Sequence, residues 1–161
     1  MNSFLRIFKK EIIGPETDPY LIRFHLTPWK WWRFPVGFYV HMFYRPDAEP
    51  WLHDHPRKLK SLIVSGGYVE ERGTLILQTD DDGAVILPSK FSLLKHQRIR
   101  EAGDWVDIPI STKHRIVHLL KVPTITFLII TRKKERTWGF WIEENDEVRF
   151  VSADDYFEEQ Y

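Results

Sequence analysis

Apolar and polar positions along this chain follow one another in short runs, many of them alternating and rich in β-branched and aromatic residues. The pattern predicts strands over Tyr20–Leu26, Gly37–Arg45, Lys60–Ser65, Tyr68–Arg72 and Thr74–Gln78. It predicts further strands over Phe91–Arg98, Trp105–Ile108, Arg115–Leu120, Thr124–Thr131 and Trp138–Glu143. Turn formers separate them: Pro46-Asp47, Gly66-Gly67, Asp81-Asp82-Gly83, Ala102-Gly103-Asp104 and Val122-Pro123. Ten short strands at this spacing predict an all-β sandwich or barrel, because antiparallel sheets must bury one face and hide their edges. Helix is scarce. Residues 3–13 fit one amphipathic helix, and Ser152 is placed to cap another over Ala153–Glu159, with Asp154 and Asp155 in its first turn.

Composition narrows the class. A chain of 161 residues, 43% apolar and 15% aromatic, fits one globular domain over residues 1–161. Its 23 basic and 23 acidic side chains cancel, so no overall field draws it to nucleic acid or to a membrane surface. With no cysteine, disulfides and thiolate ligands are excluded. Met1 to Gly14 has the wrong order of charge and apolar residues for a signal peptide, and Val122–Thr131 is too short to span a bilayer as a helix. The expectation is a cytoplasmic protein without a membrane segment.

The histidines carry the chemistry. His53 and His55 stand two apart in Trp51-Leu52-His53-Asp54-His55-Pro56. On an extended chain both imidazoles share a face while Asp54 points away, an arrangement that suits two ligands on one metal ion. An isolated pair of this kind is more simply two partly buried polar residues near a turn. A second segment changes that balance: Gly103 opens a turn, Trp105–Ile108 a strand, Pro109 a bend, and His114 the strand that follows.

With these two segments the chain resembles the cupin family, whose two motifs form facing strands of a small barrel. His53, His55 and Gly67 match the first motif; Gly103, Pro109 and His114 match the second, where Ser111 replaces the usual glycine and His118 the usual asparagine. The match covers about residues 37–131. The segments Leu52–Pro56, Ser61–Tyr68, His114–Ile116, Thr131–Lys134 and Trp138–Phe140 are further similar to a group of cupin-like proteins from phage and bacterial genomes. The resemblance implies an antiparallel jelly-roll barrel (a double-stranded β-helix) with short terminal helices. It also implies a metal centre of His53, His55 and His114 facing the interior.

One departure stands out. Lys60 occupies the position of the first motif's glutamate, and the shorter spacing would put Leu59 there. The remaining three-histidine set looks like the thiol dioxygenase branch of cupins and leaves open positions for substrate or oxygen, as an iron(II) centre needs; nickel or zinc also suit it. An inward Lys60 would repel the ion unless neutral or paired with an anionic substrate; otherwise its stem lets it snorkel to the barrel mouth. His118, four residues after His114, shares its face on a regular strand, and His41 alternates with aromatics toward the interior. Both are candidates for substrate contact or for supporting the ligands.

Other stretches read more plainly. Trp29-Lys30-Trp31-Trp32-Arg33 is read as packing or a dimer contact rather than a nucleic-acid surface, and Arg132–Arg136 as a solvated turn. The Asp80–Asp82 run reads as a hairpin tip, and Trp138–Trp141 as a strand closing the barrel. The expected function is an iron(II) oxygenase on a small polar or anionic molecule, working as a homodimer. A metal-free sugar-nucleotide isomerase or epimerase of related fold, with His53 or His55 as general base, stays open beside it, as does a non-catalytic ligand-binding or assembly module.

Overall fold

In the computed structural model, residues 9–27, 35–79, 82–83, 90–145 and 147–158 are described. The strands are β1 (Lys9–Ile13), β2 (Leu21–His25), β3 (Val36–Phe43), β4 (Leu52–His53), β5 (Leu59–Ser65) and β6 (Gly67–Leu77). They continue with β7 (Phe91–Glu101), β8 (Trp105–Ile108), β9 (Lys113–Leu119), β10 (Thr124–Thr131), β11 (Gly139–Glu144) and β12 (Glu147–Ser152). One helix follows, α1 (Ala153–Glu158). The strands form two six-stranded antiparallel sheets, β1-β2-β3-β10-β5-β8 and β12-β11-β4-β9-β6-β7. This is the expected jelly-roll architecture.

The sheets close on each other because alternate residues of each strand are apolar. Leu21, Phe43, Ile63, Tyr68, Val106, Ile108, Ile116 and Leu119 form one buried cluster. Each such side chain, removed from water, contributes roughly 1.5–3 kcal/mol. Phe140, Ile142 and Val151 form a second cluster with Ala153 and Tyr156 of α1. Ser152 caps that helix as its sequence predicts: its Oγ accepts from the Asp155 amide at 3.2 Å.

Several sequence expectations are corrected here. The end of the predicted N-terminal helix is instead strand β1, paired in register with β2 from Lys9↔His25 to Ile13↔Leu21; residues 1–8 lie outside the described set. The order Lys9-Lys10-Glu11-Ile12-Ile13 serves a sheet edge as well as a helix face, and pairing with β2 decides between them. The predicted strands Tyr68–Arg72 and Thr74–Gln78 are one strand, β6, running through Gly73. That glycine is no breaker: a Cβ there would stand 2.4 Å from Leu52 Cδ1, so a side chain at this position would have to displace Leu52. The tryptophan-rich segment Trp29–Arg33 lies outside the described residues, as do Asp80 and Asp81.

The run Arg132–Arg136 is more than a solvated turn. Arg136 pairs with the fully buried Asp54 at 3.0 Å, and Asp54 also accepts from the Gly139 amide and the Trp141 indole, both at 3.1 Å. In return the Asp54 amide donates to the Gly139 carbonyl at 3.1 Å. Three of these bonds tie the end of β4 to β11 and the fourth ties it to the segment just before β11, which fixes the backbone between the two histidines that flank Asp54.

Candidate metal centre

Strand pairing brings the histidines together. His53 of β4 lies between Phe140 of β11 and His114 of β9, and His114 lies beside Arg72 of β6. All four therefore share one row across the inner face of the second sheet. His55, past the end of β4, folds back over this row. Its Nε2 is 2.8 Å from His114 Nε2, and each pair among the three rings has centroids 5.0 to 5.2 Å apart. One nitrogen from each ring lies within 4.8 Å of the other two. Among the described residues this is the single group of three or more metal-capable side chains so gathered.

The donor set fits a divalent ion. With metal–nitrogen bonds of about 2.1 Å, adjacent ligands of one ion stand about 3 Å apart, close to the His55–His114 separation. Burial holds the His53 ring at a pKa of about 4, against the pull of Asp47 and together with His114. Burial, then His114 and His53, push His55 well below its ordinary value. Both rings are neutral near pH 7, so their lone pairs are available to a cation.

Behind His114 stands a residue the sequence reading passed over. Glu70 is fully buried, and its Oε1 accepts from His114 Nδ1 at 2.9 Å and from Arg72 Nε at 2.8 Å. Its Oε2 accepts from Arg100 Nε at 2.9 Å. Burial alone would raise its pKa, but the hydrogen bonds and charges of His114 and Arg72 bring it down to about 2. An ionised Glu70 fixes the His114 hydrogen on Nδ1 and turns the Nε2 lone pair toward His55. Alternation within Tyr68-Val69-Glu70 put Glu70 on an inward face, which was the available signal.

The remaining sequence candidates separate. His41 is buried and lines the same cavity, where its Nε2 accepts from Arg23 Nε at 2.9 Å. Lys60 does not reach it. Its side chain is 50% exposed, pairs with Asp107 at 3.5 Å and lies over the Trp105 ring, so the predicted substrate or ligand-supporting role is not met. The alternation of β5 runs the other way: Leu59, Ser61 and Ile63 point inward. Leu59, not Lys60, occupies the inward position where a ligand carboxylate would stand. Replacing Lys60 by glutamate is accordingly expected to leave zinc affinity unchanged in a calorimetric titration; a severalfold rise would put Lys60 inside the barrel after all.

His118 is also exposed rather than inward. Glu70 pairs with Ile116 but Val69 pairs with His118, so Val117 is an extra residue that shifts the register. Such a bulge turns every later side chain to the opposite face, which buries Leu119 in place of His118.

The cavity holds about 1970 Å³ and runs from the three histidines to the inner face of β1, β2 and β3. Its His41 ring is held at a pKa of about 3, by burial first and then by the charges of Arg23 and His25. An unfolded histidine binds its proton near 6.5, so between that pH and about 3 the unfolded chain binds more protons than the folded one. Stability must therefore fall as pH falls through this window and be unaffected by His41 above it. The share of the loss due to His41 is of order 3 kcal/mol, read as the part of the difference between urea titrations of metal-free protein at pH 7 and pH 4 that His41→Gln removes. A difference unchanged in that variant would mean His41 titrates normally.

No protein-family model and no curated protein matches this sequence. Solved structures do match in fold. A cupin-like protein from Thermotoga maritima is 17% identical, with a TM-score of 0.52 over 94% of this chain and 95% of that one. The 7S globulin of Momordica charantia is 11% identical, with a TM-score of 0.52 over 86% of this chain and 36% of that one. The Fe(II) form of HppE is 7% identical, with a TM-score of 0.50 over 81% of this chain and 59% of that one. The chain has the cupin fold. Its three histidines form a cluster able to hold a metal ion.

Proposed function

We propose that this protein is a metal-dependent cupin enzyme, an iron(II) oxygenase acting on a small polar or anionic molecule, with His53, His55 and His114 as the ligands. The observation that carries this reading is the convergence of three imidazole nitrogens within 4.8 Å on a large internal cavity. The structural likeness to HppE in its Fe(II) form supports iron as the first choice, with nickel and zinc as alternatives. A bound ion would supply Lewis acidity and open coordination positions. The chain's own residues do the rest. Glu70 orients His114, Asp54 holds the backbone between His53 and His55, and the apolar walls of Leu21, Phe43 and Ile108 exclude water from the space beside them.

A metal-free isomerase reading draws on a different contact. Asp47 Oδ2 is 3.8 Å from His53 Nδ1, and Asp47 also accepts from the Tyr20 hydroxyl, which places acid, base and phenol on one cavity wall. Metal content separates the two. Protein purified without a histidine tag and loaded anaerobically with iron(II), nickel or zinc should retain one ion per chain. It should then consume oxygen only in the iron form and only with substrate. Absence of stoichiometric metal after all three loadings would transfer the proposal to the isomerase.

A further inference from the structure

Outside the main cavity, a second recess of about 540 Å³ opens on the side of the barrel where the two sheets end. β7 and β8 are terminal strands of their sheets, and Arg72 of β6 reaches across to donate from Nη2 to the Asp107 carbonyl of β8 at 3.0 Å. His96 pairs with Arg72 and Arg98 with Glu70, so both β7 side chains stand on the face that carries Arg72. The start of β9 and the turn before it bring Lys113 and Thr112 to the same recess, and β6 adds Thr74. No carboxylate lines it among the described residues.

The positive charge here is only partly matched. Glu70 is one carboxylate against two guanidinium groups, Arg72 at 2.8 Å and Arg100 at 2.9 Å, so that trio keeps one positive charge. Arg98 has no hydrogen-bond or ion-pair partner among the described residues. Lys113 donates to the Ser111 carbonyl at 3.3 Å and lies over the Trp141 ring, and no described carboxylate pairs with it. Neighbouring acids are matched by other cations: Asp54 by Arg136, Asp107 by Lys60 and Glu143 by Lys95.

This lining selects a multiply charged anion. Arg72, Arg98 and Lys113 repel one another across a recess without an acid, and a metal ion would meet the same repulsion. A single carboxylate would leave most of the charge unmatched. A tetrahedral dianion accepts from guanidinium groups, an ammonium and hydroxyls at once, which is the chemistry of a phosphoryl group.

We infer that this recess binds a phosphoryl dianion, with Arg72, Arg98 and Lys113 as its cations and Thr74 and Thr112 as further donors. The site abuts the histidine cluster. Arg72 Nε donates to the same Glu70 Oε1 that accepts from His114 Nδ1, and Lys113 directly precedes His114 in β9. An anion on Arg72 offsets the guanidinium charge, which makes Glu70 a stronger acceptor for His114, and it adds a negative field behind the cluster. Both effects tighten a cation held by His114. That coupling rests on the proposed function; the anion site does not.

Calorimetry with inorganic phosphate and with pyrophosphate tests the site on metal-free protein, at an ionic strength held constant with sodium chloride. Wild type should bind one anion per chain. Arg98→Gln and Lys113→Gln should each weaken binding about tenfold, and Arg98→Lys should keep part of it. Lys10→Gln, which removes the same charge from the exposed start of β1, should change nothing. Tighter binding of pyrophosphate identifies a diphosphate ligand and equal binding a single phosphoryl group, and either result supports the site. Arg98 is exposed, so its variants should fold, which circular dichroism checks. The proposal is overturned by no binding of either anion, by binding that survives both glutamine substitutions together, or by an equal loss in Lys10→Gln. Zinc titration with sulfate in place of chloride reads the coupling: affinity should rise severalfold in wild type and not in Arg98→Gln. No rise overturns the coupling, and a rise that persists in Arg98→Gln puts the sulfate on the metal and overturns it too. His114→Ala should lose zinc yet keep phosphate binding, so failure of the metal reading and failure of the anion site are read separately.

Discussion

Replacing His114 by alanine is expected to remove stoichiometric metal binding, lowering affinity for zinc or iron(II) by at least about a hundredfold. Losing even a residue that merely orients a ligand costs 10–100-fold, and losing one of three ligands costs more, because two imidazoles leave the ion to water. His55→Ala should match this loss with less effect on folding, since His55 has no bond to Glu70 whereas His114 does. His118→Ala supplies the control. Its side chain is exposed on the far side of the Val117 bulge, so its metal affinity should equal that of wild type. Elemental analysis after loading and gel filtration measures all three. Retention of one ion per chain by His114→Ala would remove the histidine cluster from consideration as a metal centre.

Glu70 should show the largest coupled effect on stability and site. It is the carboxylate held between His114, Arg72 and Arg100, with no exposure to solvent. Glu70→Leu leaves two guanidinium groups without their anion in the interior, and breaking a buried pair in this way costs about 3–5 kcal/mol. Glu70→Gln keeps the shape and one acceptor for His114 but loses the charge. Its expected signature is a smaller loss of stability together with a drop in metal affinity of about 10–100-fold. Urea denaturation of the metal-free proteins and zinc titration measure the two quantities separately. A glutamine variant with unchanged metal affinity would show that Glu70 supports the barrel alone and does not position His114.

Much of this molecule is legible in its order of residues. Thr124–Thr131 and Trp105–Ile108 form strands with the bounds the alternation predicts, because a run buried on one face has few other stable arrangements. The likeness to two cupin motifs also placed His53, His55 and His114 together, 59 residues apart in sequence at the His55–His114 contact.

Other features depend on neighbours that are distant in sequence. Whether Lys60 or Leu59 faces the cavity turns on one residue of register in β5, and a single-residue shift exchanges the two faces of a strand. That register is set by pairing with β8 and β10, which no local pattern reveals. His118 is placed by one extra residue against β6, and Gly73 stays within a strand because Leu52 occupies the space beside it. Glu70 reads as one acid in an acidic pair until Arg72, Arg100 and His114 enclose it. The sequence by itself determined the fold class, since the periodicity of its strands is a local quantity, and its likeness to two cupin motifs named the clustered histidines. Only the tertiary structure decided which polar side chains surround them, because burial, pairing and charge at each position are set by strands brought together from across the chain.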